Sequence, residues 1–351
     1  MTDHAEESAN QGPEVPYPPS WIDRLIIRIE NLPGPAWLFY ILSGFSFAVL
    51  FNLMLWIDGG VPAGTIDPVN SGIGFFLVYW LALYQYLTSI GSKSLKAYRP
   101  LLEADESEFA HIDYELTNLP RRLGWLSVLV GFVLAAEEVL GNPAADGNPV
   151  SQTALVYFVD WVITSFMAAT FFCVIIRSIR QLRLVGKLHA RAKNINLLDL
   201  GPAHAFSGLT ARTGIGVIFI LVFAYLVDPD PVGTAFDVLL YAGIALLAIA
   251  IFALPIMGIR DHIEEEKERR LKEASDLLQV TNDSFHSKGG NRDYDDLEGL
   301  EPAIRALIRE RDLLEKISTW PWDASTIRGF ATTLLLPIFL WLVTRLLERL
   351  L

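Results

Sequence analysis

Four carboxylates stand where they could do chemistry: Glu137, Glu138, Asp160 and Asp237, each inside or at the edge of a long apolar block. An ionisable group in hydrocarbon costs at least about 2.5 kcal/mol to insert, so it is retained for a reason. Carboxylates grouped at a pore mouth concentrate cations. Asp58, Asp67, Asp146, Asp228 and Asp230 punctuate the same apolar blocks or the short turns between them. This acidic set suits a cation pathway, with Asp160 and Glu137 its principal members. A plainer role carries more weight, because all but Asp160 lie near an apolar block's end. Such acids reach outward to water or hydrogen-bond across neighbouring helices.

A second set has the opposite sign. Arg177, Arg180, Arg183, Lys187 and Arg191 follow an apolar run that ends at Ile176. Steps of about 100° per residue confine all five to roughly a third of a helix circumference. Such a stripe binds anionic headgroups; docking on Glu264-Glu265-Glu266 is the alternative. Arginine at every third position also suits a voltage sensor. These arginines lie beyond the apolar run, however, and would carry little charge through the field.

Other chemistries find no support. The six histidines are scattered, with no HExxH spacing, and there is no GxSxG elbow, P-loop or paired acidic motif. No metal, cofactor or catalytic residue is therefore expected, and the reading leans away from an enzyme. A net charge of −12 argues against nucleic acid. The single cysteine, Cys173, has no partner for an intrachain disulfide.

The elements that must position these groups are read from where Lys and Arg are missing. None occurs between Arg28 and Lys93, Arg122 and Arg177, Arg212 and Arg260, or Arg328 and Arg345. A helix needs about 20 apolar residues to cross a bilayer. Each of the first three intervals holds two crossings, and the spans fall at 36–57, 72–91, 124–141, 154–176, 213–228 and 236–258. Turn residues join each pair: Asp58-Gly59-Gly60, Gly141-Asn142-Pro143 and Asp228-Pro229-Asp230-Pro231. The chain is 52% hydrophobic with a mean hydropathy of +0.35 and only 19% charged residues, below the usual quarter for soluble domains. The expected class is an all-α polytopic transmembrane bundle of six to seven spans.

Lys and Arg favour cytoplasmic loops. The rule places the N-terminus and the segments 92–122, 177–212 and 260–328 in the cytoplasm of a cell-membrane protein. Trp37, Trp56, Trp125, Trp161, Trp320 and Trp322 fall near span ends, as interface anchors do. A seventh segment, 327–344, either crosses or lies in the interface, kinked by Pro337. Asn52 and Gln85 lie deep enough to bridge helices. Two helix starts look alike, Arg122-Leu123-Gly124 and Arg212-Thr213-Gly214, as an internal repeat or a common interfacial pattern would.

The chain divides into an acidic, proline-rich tail (1–19) expected to be disordered, a membrane domain (20–259), a cytoplasmic hairpin (260–317) and a C-terminal junction and helix (318–351). Ser20-Trp21-Ile22-Asp23 reads as a capping box that opens a short helix to about Glu30. Its apolar side (Trp21, Leu25, Ile26, Ile29) opposes Arg24 and Arg28, so it suits the headgroup plane. Phe109, Ile112 and Leu116 mark another amphipathic helix, bounded by Pro100 and Pro120.

In the hairpin, Leu271, Ala274 and Leu278 face a run of Leu297, Leu300, Ile304, Leu307, Arg311 and Leu314 across glycines at 289 and 290. Alternating steps of three and four are those of a coiled-coil seam. Two short seams alone are marginal in water. A homo-oligomer or a cytoplasmic protein partner is therefore expected beside the anionic bilayer. Trp320 and Trp322 would anchor the return, and Asp323 would cap the last helix.

The junction Ser318-Thr-Trp-Pro-Trp322 before Leu334-Leu-Leu-Pro337, with Asn196-Leu-Leu-Asp-Leu200 and Ala205-Phe-Ser-Gly-Leu-Thr210, resembles uncharacterised prokaryotic multi-pass membrane proteins. That resemblance covers the part after the third span. It implies a C-terminal membrane helix and no particular activity. The sequence leads to a non-enzymatic membrane protein with an assembly or signalling arm, with a cation channel or transporter as the alternative.

Overall fold

The computed structural model describes residues 15–141, 153–192, 195–227, 235–290, 294–320, 322 and 324–350. They are helical throughout, apart from loops and one isolated antiparallel bridge, Pro19 to Pro120. The helices are α1 (Trp21–Glu30), α2 (Ala36–Asp58), α3 (Pro68–Tyr98), α4 (Glu106–Thr117), α5 (Arg121–Gly141), α6 (Ala154–Ala190), α7 (Ser207–Val227), α8 (Ala235–Gly290), α9 (Tyr294–Lys316) and α10 (Ala324–Leu350). Six of them, α2, α3, α6, α7, α8 and α10, are long and apolar enough to cross a membrane, as a multi-pass protein requires. The segment expected to form the third span is the helix α5, whose side chains from 137 to 141 lie outside the described residues.

The long apolar stretches continue past their expected ends without a break. α3 and α6 each extend beyond their expected ends at 91 and 176. α8 runs unbroken from 235 to 290, so the last paired span and the first half of the hairpin are one helix. Continuity follows from a lack of stop signals: no proline or glycine pair interrupts α6 after 176, and Pro255 in α8 lies inside the apolar part. α8 continues through Gly290, past the start of the glycine break expected at 287–291, and 291–293 lie outside the described residues.

α3 and α6 form the centre. α6 packs against α5, α3 and α8, while α3 packs against α2, α6, α7 and α4. α5 and α6 meet backbone to backbone at Gly131. A Cβ built there would lie 2.6 Å from the Ser165 carbonyl oxygen and 2.7 Å from the Ala169 nitrogen. Apolar lipid gives helices no hydrophobic drive to associate, so backbones meet through small residues. The two similar helix starts put glycine to the same use: Gly124 lies under Ser20, and Gly214 under Phe330 and the Ala248 carbonyl.

Asn52 and Gln85 bridge helices as expected. Asn52 Nδ2 donates to Ser71 Oγ at 2.7 Å, and its Oδ1 accepts from the Asp67 amide at 2.9 Å. Gln85 Oε1 accepts from the Tyr40 hydroxyl at 2.7 Å, and its Nε2 donates to Glu30 at 2.8 Å. α4 buries Phe109, Ile112 and Leu116, the face that its spacing marks. Asp105 caps it, accepting from the Glu108 amide at 2.7 Å. That backbone bond holds the exposed carboxyl below its ordinary pKa.

One boundary moves. Composition assigns residues 1–19 to a disordered tail, but 15–19 are ordered against the α4–α5 turn. The Arg121 amide donates to the Pro18 carbonyl at 3.1 Å, and the Ser20 amide to Leu119 at 3.0 Å. The Tyr17 ring packs at a tilt against Tyr114, whose hydroxyl donates to the Tyr17 carbonyl at 2.7 Å. Residues 1–14 lie outside the described part.

Candidate functional site

Two features stand out above the packing of the bundle: a buried polar chain under α1, and the arm formed by α8 and α9. The first grows from the capping box. Ser20 and Asp23 cap α1 reciprocally, the Ser20 amide donating to Asp23 Oδ2 at 3.0 Å and the Asp23 amide to Ser20 Oγ at 3.4 Å. Both residues are buried. Asp23 therefore exceeds its capping role. Its Oδ2 also accepts from the Leu119 amide at 3.1 Å, and its Oδ1 from the Tyr84 hydroxyl at 2.5 Å.

Tyr84 hands the chain to Arg177. The guanidinium lies 4.2 Å from the Tyr84 ring centroid, and Nη1 donates to the Tyr84 carbonyl at 3.0 Å and to Thr88 Oγ1 at 2.6 Å. Arg177 is only 3% exposed, and its Nε and Nη2 find no partner among the described residues. One carboxylate and one guanidinium are thus joined through a tyrosine across α1, α3 and α6. Burial of both charges is tolerable only with such donors and acceptors.

Arg177 therefore departs from the basic stripe. Helical spacing puts it on the same side as its neighbours, but α3 covers that side at this level. Arg180 donates to the Tyr17 hydroxyl at 3.3 Å, and Arg191 pairs with Glu108 at 2.6 Å. Arg183 and Lys187 stay exposed and make no ion pair among the described residues. Of the five stripe residues, those two keep a free face. Gln181 is buried one turn from Arg177 and donates to the Leu116 carbonyl at 2.8 Å, which ties α6 to α4.

Further along α6, His189 Nδ1 lies 3.0 Å from the Pro255 carbonyl oxygen. A carbonyl only accepts, so Nδ1 carries the proton and the ring is held as that tautomer. Tyr98 and Phe206 flank the ring. In the loop that follows, burial pushes the His204 imidazole below its ordinary value, and its Nε2 is buried without a partner among the described residues. The folded chain favours neutral His204, so its contribution is fully present above about pH 6.5 and is lost as pH falls from there through the lowered folded value. We expect the thermal midpoint to drop on acidification from neutral pH, and His204→Gln to flatten the slope. Parallel pH profiles for the two chains would contradict this.

Of the acidic set the described side chains are Asp58, Asp67 and Asp160: Asp67 is buried, and Asp160 is partly buried on α6 and accepts from Thr164 Oγ1 at 3.4 Å. The side chains of Glu137, Glu138 and Asp237 lie outside the described residues, as do Asp146, Asp228 and Asp230. Among the described residues no group of three His, Cys, Asp or Glu could hold a metal.

In the arm, α8 and α9 lie side by side. Lys267 Nζ donates to the carbonyls of Glu315 at 2.9 Å and Ile317 at 2.8 Å. Leu271, Ala274 and Leu278 on α8, and Leu300, Ile304, Leu307 and Leu314 on α9, are less exposed than the residues around them. These are the positions that the three-four spacing selects, with Arg311 exposed among them. Away from that seam, ion pairs run along α8: Arg269 bridges Glu266 and Glu273, and Arg270 reaches Glu266. The Arg269 side chain holds the Glu266 carboxyl below its usual range.

The two anchor tryptophans part company. Trp320 is half-exposed beneath the Arg260 guanidinium at 4.8 Å. Trp322 instead stacks on Phe252, centroids 4.4 Å apart, and Phe252 stacks on Phe330 at 4.0 Å. That column connects the arm's return to α8 and α10. Pro321 and the expected cap Asp323 lie outside the described residues.

Sequence reasoning missed the Asp23–Tyr84–Arg177 chain. A signal did exist, since an aspartate at the third position of a capping box and an arginine at a span's end are both visible. Their joint burial depends on how α1, α3 and α6 meet. Comparison with protein-family models, curated proteins and solved structures finds no match to this chain.

Proposed function

We propose that this chain is a non-enzymatic multi-pass protein of the cell membrane that self-assembles through its cytoplasmic α8–α9 arm. One observation carries the reading. Beyond the closed seam, Leu277, Val280, Ile308 and Leu313 remain 57%, 65%, 45% and 54% exposed on an otherwise highly charged pair of helices. Leu277 and Val280, three residues apart, share one face of α8, and adjoining exposed apolar side chains of this kind mark contact sites. The pairing of seam positions supports a coiled-coil arm, which a second copy would extend into a bundle. The distribution of Lys and Arg supports an arm and N-terminus on the cytoplasmic side.

Light scattering of the detergent-solubilised chain tests this. The intact chain is expected to run as an oligomer, and Leu277→Glu with Val280→Glu should reduce it to the mass of one chain. An intact chain that is already monomeric overturns the reading, as does an oligomer untouched by the double substitution. A cation pathway past Asp160 is the weaker alternative. Its described carboxylate is engaged by Thr164 one turn along the same helix, the arrangement of a structural acid.

A further inference from the structure

A cavity of about 690 Å³ opens beneath α1, between α2, α3, α5 and α6. Its walls are apolar, with Phe47 of α2, Leu77, Val78 and Leu81 of α3, Trp125 of α5 and Phe166 of α6. Its mouth is different. Arg24 and Arg28, both exposed and four residues apart on α1, line it from one side. Four residues is one helical turn, so the two cations point the same way.

Neither arginine has a carboxylate partner among the described residues. Arg24 Nε donates to the Ser20 carbonyl at 3.3 Å, and the nearby acid, Glu30, accepts instead from Gln85 at 2.8 Å. α1 cannot swing away to relieve this charge, because Asp23 is fastened to Tyr84 and Leu119, and the Trp21 indole donates to the Gly124 carbonyl at 3.0 Å. The site is thus a fixed apolar hollow with two uncompensated cations at its rim.

We propose that this cavity engages one anionic phospholipid taken from the surrounding membrane, one of its two acyl chains in the hollow and its phosphate on Arg24 and Arg28. The volume falls in the range of about 300–1,000 Å³ over which proteins bury small amphiphilic ligands. α2, α3 and α6 are helices long enough to span a bilayer, so the apolar phase next to the opening is acyl chain. Exposed Phe39, Trp125 and Phe166 at the rim give a chain a lateral way in. Arginine is the residue suited to a phosphate, because its donors form a planar fork. An apolar molecule without charge would leave the arginines unused, and a free phosphate would leave the hollow empty.

Native mass spectrometry of the intact chain, delipidated and then given defined lipids, tests this. One phosphatidylglycerol per chain is expected to survive activation that strips phosphatidylcholine. Arg24→Gln with Arg28→Gln should weaken phosphatidylglycerol retention about tenfold or more. Val78→Trp, which fills the hollow, should abolish retention. Arg183→Gln with Lys187→Gln, on the exposed stripe, should leave it unchanged. Equal retention of the two lipids, or retention untouched by the Arg24 and Arg28 changes, means annular lipid only and overturns the site. Both arginines are exposed, so that arm of the test stands even if Val78→Trp fails to fold.

Discussion

Asp23→Ala is expected to be the most destabilising single substitution in the described chain, by about 3–5 kcal/mol. The carboxylate accepts from the Ser20 and Leu119 amides and from the Tyr84 hydroxyl, and all of these are buried. Removing it strands each donor, at roughly 1–3 kcal/mol for an unsatisfied buried group, partly offset where relaxation admits water. It also leaves the guanidinium of Arg177 buried without the carboxylate it is linked to through Tyr84. Tyr84→Phe removes one hydroxyl from the same chain and should cost about 1–2 kcal/mol, since the ring beneath Arg177 survives. Thermal unfolding in detergent, followed by tryptophan fluorescence, measures both. A midpoint that Asp23→Ala leaves in place would show that the chain is ornamental. The loss should also free α1, so lipid retention at Arg24 and Arg28 should fall with it.

Gly131→Val is the second large effect, and it has a built-in control. A Cβ at 131 would lie 2.6 Å from one α6 backbone atom and 2.7 Å from another. Backbone cannot rotate away as a side chain can, so α5 and α6 must separate along their interface. The Trp161 indole donates to the Phe132 carbonyl at 3.3 Å, and the two rings meet edge to face at 5.2 Å. Both contacts sit beside Gly131 and would open with it. Overpacking of this kind costs about 1–3 kcal/mol, and the valine's further carbons push toward the upper end. At Gly186 of α6 nothing lies within 4 Å of a built Cβ. There Gly186→Ala should stabilise by about 0.5–1 kcal/mol through helix propensity. The idea fails if the two glycine substitutions shift the unfolding midpoint in the same direction.

How much of this was legible before the fold can be judged residue by residue. Ser20 and Asp23 announce a helix start through their types and spacing, and α1 begins there. Leu300, Ile304, Leu307 and Leu314 announce one face of α9, and that face is the covered one. Phe109, Ile112 and Leu116 do the same for α4. These readings hold because each depends on neighbours within a few turns, where backbone geometry fixes which side chains share a side. The stripe from Arg177 to Arg191 follows the same local rule, yet it divides. Arg177 is enclosed by α3, Arg180 and Arg191 are engaged by Tyr17 and Glu108, and only Arg183 and Lys187 keep a free face. Trp320 and Trp322, two residues apart, likewise end in a half-exposed and a stacked environment.

The sequence by itself determined the all-helical class, the apolar lengths able to span a membrane and the periodic seam of the arm. All of these are properties of a segment and its solvent. Tertiary structure alone decided that residues 15–19 are ordered, that Asp23 and Arg177 share one buried chain, that Gly131 is a backbone contact, and that Arg24 and Arg28 overlook an apolar cavity. Each of these joins residues tens of positions apart. Local spacing says which side of a helix a residue occupies, but not which other helix, or none, will cover it.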